Sequence, residues 1–308
     1  MCFTDNFWRL TVDGLSNGFL YALIALGYTL VYGVLQLINF AHSEVFMAGG
    51  FAGLFITEWL VGPTTPSGLT AIWLVTVGTV MGGVAGAGTA FLLERVAYRP
   101  LRKRNAPKLA FLITAIGASL FLSDLAGKWF GRNGLPVPEL FENKQVFTLF
   151  GAPVRVYAIV VAVAAVAMMV ALDRLVAKTR LGQGIRAVAQ DADTASLMGV
   201  NIDRVIWQTF AIGGFLGGAA GFLFGMSSGI SYTMGFTPGL KAFTAAVLGG
   251  IGNIRGAMLG GIVLGLVESY GVACTQNTWR DVIAFGILVA VLMVRPTGIL
   301  GERLGRSA

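Results

Sequence analysis

An all-α polytopic membrane protein is the fold class this sequence predicts, with about eight to nine transmembrane segments, broken helices and an inverted repeat. Three observations lead there. Apolar residues make up 56% of the 308-residue chain and charged residues only 12%, too little polar surface to cover a soluble domain of this length. Apolar runs long enough to cross a hydrocarbon core recur along the chain, separated by short polar stretches. Lys and Arg gather in a few of those stretches, as the positive-inside bias requires. The net charge of +7 therefore marks membrane topology, since no aromatic–basic interleaving suggests nucleic acid.

The first segment spans Asp13 to Gln36 and ends in the polar interruption Leu37–Glu44. No basic region precedes it, so it is expected to be retained rather than removed as a signal. A second apolar run reaches Glu58, and Gly62 to Gly68, with Pro63 and Pro66, is a loop. The third segment, Thr70 to Leu93, carries Gly78, Gly82 and Gly86 on one helix face, where a neighbouring backbone can approach. Glu94 to Lys108 holds Arg95, Arg99, Arg102, Lys103, Arg104 and Lys108 against a single carboxylate and reads as a cytoplasmic loop. A fourth segment covers Leu109 to Gly127. Lys128 to Pro153 is less basic, proline-bearing and external, and the fifth segment is Val154 to Leu172.

A polar island, Lys178 to Asn201, follows. Within it Arg186 to Gly199 is expected to form one short amphipathic helix, with Ala187, Val188, Ala195, Leu197 and Met198 on its apolar side and Asp191 and Asp193 in water. The sixth segment, Val205 to Met226, is again rich in glycine. Ser227 to Gly239 is a broken stretch, Lys241 to Leu248 a short apolar run, and Gly249 to Asn253 a turn. Gly256 to Ala273 and Val282 to Val294 complete the count of nine, or eight if the second or seventh falls short. Arg295, Arg303 and Arg306 put the C-terminus in the cytoplasm, and three segments before the basic stretch put the N-terminus outside.

The whole chain is expected to form a single permease domain: residues 1–128 a first repeat, 129–172 an external loop and connecting span, 173–204 a cytoplasmic coupling loop, and 205–308 a second repeat and C-terminus. Laying Asn39–Glu44 over Phe236–Lys241 relates the halves with opposite membrane entry, a pattern of transporters whose pathway lies between repeats.

Candidate pathway or broken-helix residues are Asn39, His42, Glu44, Lys241, Gly249, Gly250 and Glu268. Ionisable groups in a membrane are costly unless paired or wet. Glu44 and Lys241 either brace two broken segments across a cavity or end their helices at headgroup level. His42 is either a helix-start group or a proton carrier; Glu268 is a pathway residue or half of a packed polar contact. Asp124 and Asp281 read as interfacial. Cys2 and Cys274 form no metal or disulfide pattern, and no phosphate-binding glycine loop, zinc-ligand cluster or activated nucleophile occurs. Enzyme chemistry is thus not expected; active transport would draw on an ion gradient or a separate ATPase.

Four runs, Gly14–Leu23, Ile38–Glu44, Arg180–Asp191 and Val247–Asn253, resemble those of branched-chain amino acid ABC transporter permeases, of the LivH type, in order and over nearly the whole length. The resemblance implies a bacterial inner-membrane permease subunit, paired with a second, LivM-like permease. Two cytoplasmic ABC ATPase subunits, which would carry ATP and Mg, and an external solute-binding protein complete the implied machine; no cofactor is implied in this chain. It also implies that the island presents an E-A-A-x-x-x-G-like loop to an ATPase groove. Asp193, Thr194, Ala195 and Gly199 match that pattern in degenerate form, and Arg186, Gln190 and Asp191 flank them. Related permeases handle urea, short amides or other amino acids, and a self-sufficient ion-coupled carrier is the alternative from another class.

Overall fold

The computed structural model describes residues 6–61, 68–138, 140, 145–149, 151–273, 276–295 and 297–301. Helices dominate. In chain order they are α1 (Phe7–Leu35), α2 (His42–Leu60), α3 (Leu69–Leu93), a π turn (Glu94–Tyr98), α4 (Arg99–Lys103) and α5 (Lys108–Trp129). A small antiparallel hairpin of β1 (Gln145–Leu149) and β2 (Ala152–Arg155) follows. Then come α6 (Val156–Lys178), α7 (Arg180–Gln190), α8 (Ala192–Leu197), α9 (Ile202–Ser228), α10 (Phe236–Gly249), α11 (Ile254–Ala273) and α12 (Arg280–Val294). Cys2, Cys274, Pro63, Pro66, Arg303 and Arg306 lie outside the described residues.

The expectation of eight to nine spans is corrected. Among the described residues, six helices are long and apolar enough to cross a membrane: α1, the continuous helix Leu69–Lys103, α5, α6, α9 and α11. The reason is length and polarity. The 14-residue α10 and 15-residue α12 are at most about 21 and 23 Å long, short of a core of about 30 Å. The 19-residue α2 begins His42-Ser43-Glu44 and holds Glu58 near its end, so its apolar length is shorter still.

Two further expectations change. The basic stretch after Leu93 is helical through Lys103 rather than a loop, because the π turn and α4 prolong α3. The island holds two helices instead of one. Asp191 leaves helical geometry (φ −158°, ψ 109°) and its side chain accepts from the Asp193 and Thr194 N–H groups, so it ends α7 and caps α8. The hairpin β1–β2 straddles the boundary between the stretch read as an external loop and the fifth segment, since β2 takes in Val154 and Arg155 and α6 begins only at Val156.

The chain forms two compact units, and each draws on both halves of the sequence. Unit 1 comprises Met1–Thr29, Gln145–Asp173 and Lys241–Ala308; unit 2 comprises Leu30–Lys144 and Arg174–Leu240. In unit 2, α2, α3 and α9 touch backbone to backbone. A Cβ on Gly218 would lie 2.2 Å from the Gly82 carbonyl oxygen, and one on Gly86 would lie 2.3 Å from that of Gly214. Gly78 faces Phe222 instead, whose ring fills the space its missing side chain leaves. Lipid offers no hydrophobic drive for helix association, so this close van der Waals approach is what holds the three together. In unit 1 the same device joins α1 to α11, with Gly265 against Gly14 and Gly18 and with Gly261 against Ala22.

Candidate functional site

The island sits entirely within unit 2 and is built as a short, fixed projection. Thr179 caps α7 by accepting from the Gly182 N–H at 3.1 Å, and the Arg186 guanidinium folds back to donate to the Val176 carbonyl. Gly182 lies so close to Val176 that no side chain would fit, which makes the turn from α6 into α7 tight. Ile185 and Val188 of α7 and Ala195 of α8 then enter a buried cluster with Leu93, Tyr98, Val205, Ile206 and Phe210. The island is thereby packed onto the π turn and the first turns of α9.

α8 is finished at both ends. Asp191 Oδ1 accepts from the N–H groups of Asp193 (2.9 Å) and Thr194 (3.0 Å), and Oδ2 accepts from the Thr194 hydroxyl at 2.7 Å. These donors hold the Asp191 carboxyl below the usual carboxylate range, the Thr194 N–H contributing most. At the other end Gly199 takes φ +83°, the Val200 N–H bonds the Ala195 carbonyl and the Gly199 N–H bonds that of Ser196. That Schellman ending needs a left-handed residue, which explains a glycine four positions after Ala195. Gln190, Asp193 and Thr194 are exposed. Leu197 and Met198, expected on the packed side, stand 86% and 81% exposed. Sequence periodicity misassigned them because the break at Asp191 resets the helix phase.

The remaining candidates fall into two groups, each with partners in its own unit. In unit 2, Asn39 Oδ1 accepts from the Tyr98 hydroxyl at 2.6 Å and from the Ala41 N–H at 3.1 Å, fixing the link between α1 and α2. His42 is buried with its ring against Gly217. Glu44, also buried, accepts from Ser119 of α5 at 3.1 Å and from Ser43 at 3.3 Å, in the first turn of α2 where the helix dipole favours an anion.

In unit 1, Lys241 Nζ lies 3.0 Å from Glu268 Oε1 and 2.7 Å from Asp281 Oδ1. Arg280 Nε is 3.1 Å from the same Glu268 oxygen, Tyr21 donates to it at 3.4 Å, and the Lys241 ammonium stands 5.9 Å from the Tyr21 ring centre. Two cations and two carboxylates thus close on one another around a buried Lys–Glu pair. Gly249 and Gly250 end α10. Gly250 adopts φ +106°, and the Ile299 and Leu300 N–H groups bond the carbonyls of Leu248 and Gly249. Ser119, Tyr98, Tyr21 and Arg280 were not singled out in the sequence. The only signal for them was the general demand that a membrane carboxylate or ammonium find a partner.

Among the described residues no group of three His, Cys, Asp or Glu side chains could hold a metal ion. The family model described as "Branched-chain amino acid transport system / permease component" matches residues 10–292. The chain is 41% identical over 301 residues to the high-affinity branched-chain amino acid transport system permease protein LivH of Escherichia coli (strain K12), covering 96% of each. It is also 41% identical over 302 residues to the permease protein BraD of Pseudomonas aeruginosa, again covering 96% of each. A probable LivH of Methanocaldococcus jannaschii is 27% identical over 294 residues, covering 92% of this chain and 89% of the relative. Matched over more than nine-tenths of its length by these permeases, this multi-pass membrane protein belongs to the family of branched-chain amino acid transport system permease components.

Proposed function

We propose that this permease subunit lines the translocation pathway of an ATP-driven importer of branched-chain amino acids and is moved by ATPase subunits that dock on α8. The chain is not itself an enzyme. Its partners in this reading are a second permease, two ABC ATPases on the cytoplasmic face and an external binding protein that delivers the amino acid. One observation carries the docking reading: α8 is capped at both ends and anchored by Ala195, yet turns two large apolar side chains, Leu197 and Met198, outward. A fixed helix presenting an apolar tip suits insertion into a groove, and its packing on α9 suits the transfer of force. Family membership supports the cargo.

The same reading places the protein in a bacterial inner membrane, with the arginine-rich π turn and the island in the cytoplasm. α2 lies beside α3 with Thr57 against Gly78 and Gly49 against Gly82, so α2 carries the chain back toward the end at which α3 begins. That supports an external N-terminus, and Arg295 after α12 supports a cytoplasmic C-terminus.

The test is co-reconstitution with the ATPases, second permease and binding protein, and uptake of labelled leucine, urea and acetamide. ATP-dependent accumulation of leucine alone is expected. Uptake of urea or acetamide in its place would reassign the cargo, and accumulation by the purified chain without nucleotide would overturn the ATP-driven reading.

A further inference from the structure

On unit 2 the π turn interrupts the long α3–α4 helix where its apolar stretch gives way to arginines. Arg99 N–H donates to the Glu94 carbonyl, five residues back, so the turn is wider than an α turn. The Arg99 side chain reaches Asp203 at the head of α9 (3.2 Å), while Arg102 bridges Asp203 (2.6 Å) and Glu94 (3.0 Å). Those two guanidiniums are matched by two carboxylates. Two more, Arg95 and Arg204, line the same groove of about 660 Å³ and form no ion pair among the described residues. Phe91 and Trp207 supply its aromatic wall, meeting edge to face at 5.7 Å. Next to Arg95 on the helix, Leu92 and Val96 are 60% and 73% exposed.

We propose that this groove binds an anionic phospholipid of the leaflet on the basic side of the membrane, with its phosphodiester between Arg95 and Arg204. Guanidinium forks match phosphate oxygens, and a basic recess between helices at the headgroup level is suited to an acidic lipid. Leu92 and Val96 offer a surface for the acyl chains, and Trp207 stands where the bilayer interface favours an indole. A soluble phosphate would use the arginines alone and leave that apolar margin without a role. The proposal is independent of the cargo and of ATPase docking.

Native mass spectrometry of the full-length protein, offered equal amounts of phosphatidylglycerol and phosphatidylcholine, tests it. The unaltered protein is expected to retain phosphatidylglycerol preferentially. One arginine near an acidic headgroup is worth about five-fold, so Arg95→Gln with Arg204→Gln should reduce the preference by roughly 25-fold. Arg9→Gln, remote from the groove in sequence and in unit 1, should leave it intact. A second reading needs no arginine substitution: brominated phosphatidylglycerol, but not brominated phosphatidylcholine, should quench a fluorescence component that Trp207→Phe removes. An unchanged preference in the double variant, or equal quenching by both lipids, would overturn the proposal. So would competition by glycerol phosphate at the lipid's own concentration, which would make the ligand a soluble phosphate, or absence of quenching by either lipid together with a Trp207 fluorescence change when an ATPase subunit binds, which would make the groove a protein-docking surface.

Discussion

Lys241 shows how one ammonium can be tolerated in the interior of unit 1. Its ammonium is paired with Glu268 and Asp281, with both members of the Lys241–Glu268 pair almost wholly buried, and Arg280 and Tyr21 converge on the same Glu268 oxygen. Removing one member of such a pair strands the other charge, which costs about 3–5 kcal/mol, more than the pair itself contributes relative to a neutral substitute. Lys241→Met and Glu268→Gln are therefore each expected to lower stability by about 3 kcal/mol. The double variant leaves one cation, Arg280, and one carboxylate, Asp281, so the charges stay balanced and its loss should fall short of the sum of the single losses by about 2 kcal/mol. Denaturation midpoints in detergent for the four proteins of the cycle check this; strictly additive losses would show that the pair is not coupled. That Glu268 could be half of a packed polar contact was legible in the sequence, but its partners were not. Lys241 and Glu268 lie on different helices, α10 and α11, and no helical spacing relates positions so far apart.

At the scale of elements, legibility depended on length. The helices α1, α3, α5, α6, α9 and α11 announce themselves because an apolar run that can cross a bilayer leaves little else to be. α2, α10 and α12 did not, because hydropathy registers an apolar run without measuring whether its helix reaches across. The glycines at 78, 82 and 86 were readable as a packing face; their partners on α2 and α9 were not. The break in the island was present in the sequence as an Asp two residues before another Asp and three before a Thr, a cap signature overshadowed by continuous amphipathic spacing. That cap makes a prediction about pH. Because hydrogen bonds to its ionised form hold Asp191 below its unfolded value, its contribution to α8 is complete above about pH 4, the ordinary aspartate value, and is lost as pH falls through the folded value. Amide exchange of residues 192–197, corrected for intrinsic rates, should thus accelerate in acid. Asp191→Asn, which caps without titrating, should remove the pH dependence, and Asp191→Ala should fray α8 at neutral pH too. Acid-independent exchange in the unaltered protein would show that the cap does not hold the helix.

For the molecule at work, the proposed docking at α8 requires a route by which force applied there would reach the membrane. Ala195 joins α8 to the cluster that includes Val205, Ile206 and Phe210 of α9, and α9 meets α2 and α3 through glycines, backbone against backbone at Gly82, Gly86, Gly214 and Gly218 and around the Phe222 ring at Gly53 and Gly78. Interiors packed this closely shift as bodies rather than deform, so a displacement of α8 is expected to carry α9, α2 and α3 of unit 2 together. Leu197 and Met198 are the handle in this scheme, and being exposed they should contribute little to the fold of the free chain. Replacing both with serine is expected to leave the denaturation midpoint nearly unchanged. Burying two such side chains in a partner's groove is worth at least about 3 kcal/mol, so ATPase binding should weaken by about a hundredfold and leucine uptake should fall with it. Pull-down of the ATPase, uptake by proteoliposomes and thermal denaturation measured on one preparation separate the outcomes. A lowered midpoint would make the two residues structural, whereas unchanged midpoint, binding and uptake would remove α8 from the coupling path. Loss of uptake with binding intact would divide the roles: docking would then rest on other residues of the island, and the apolar tip of α8 would serve only to transmit the movement.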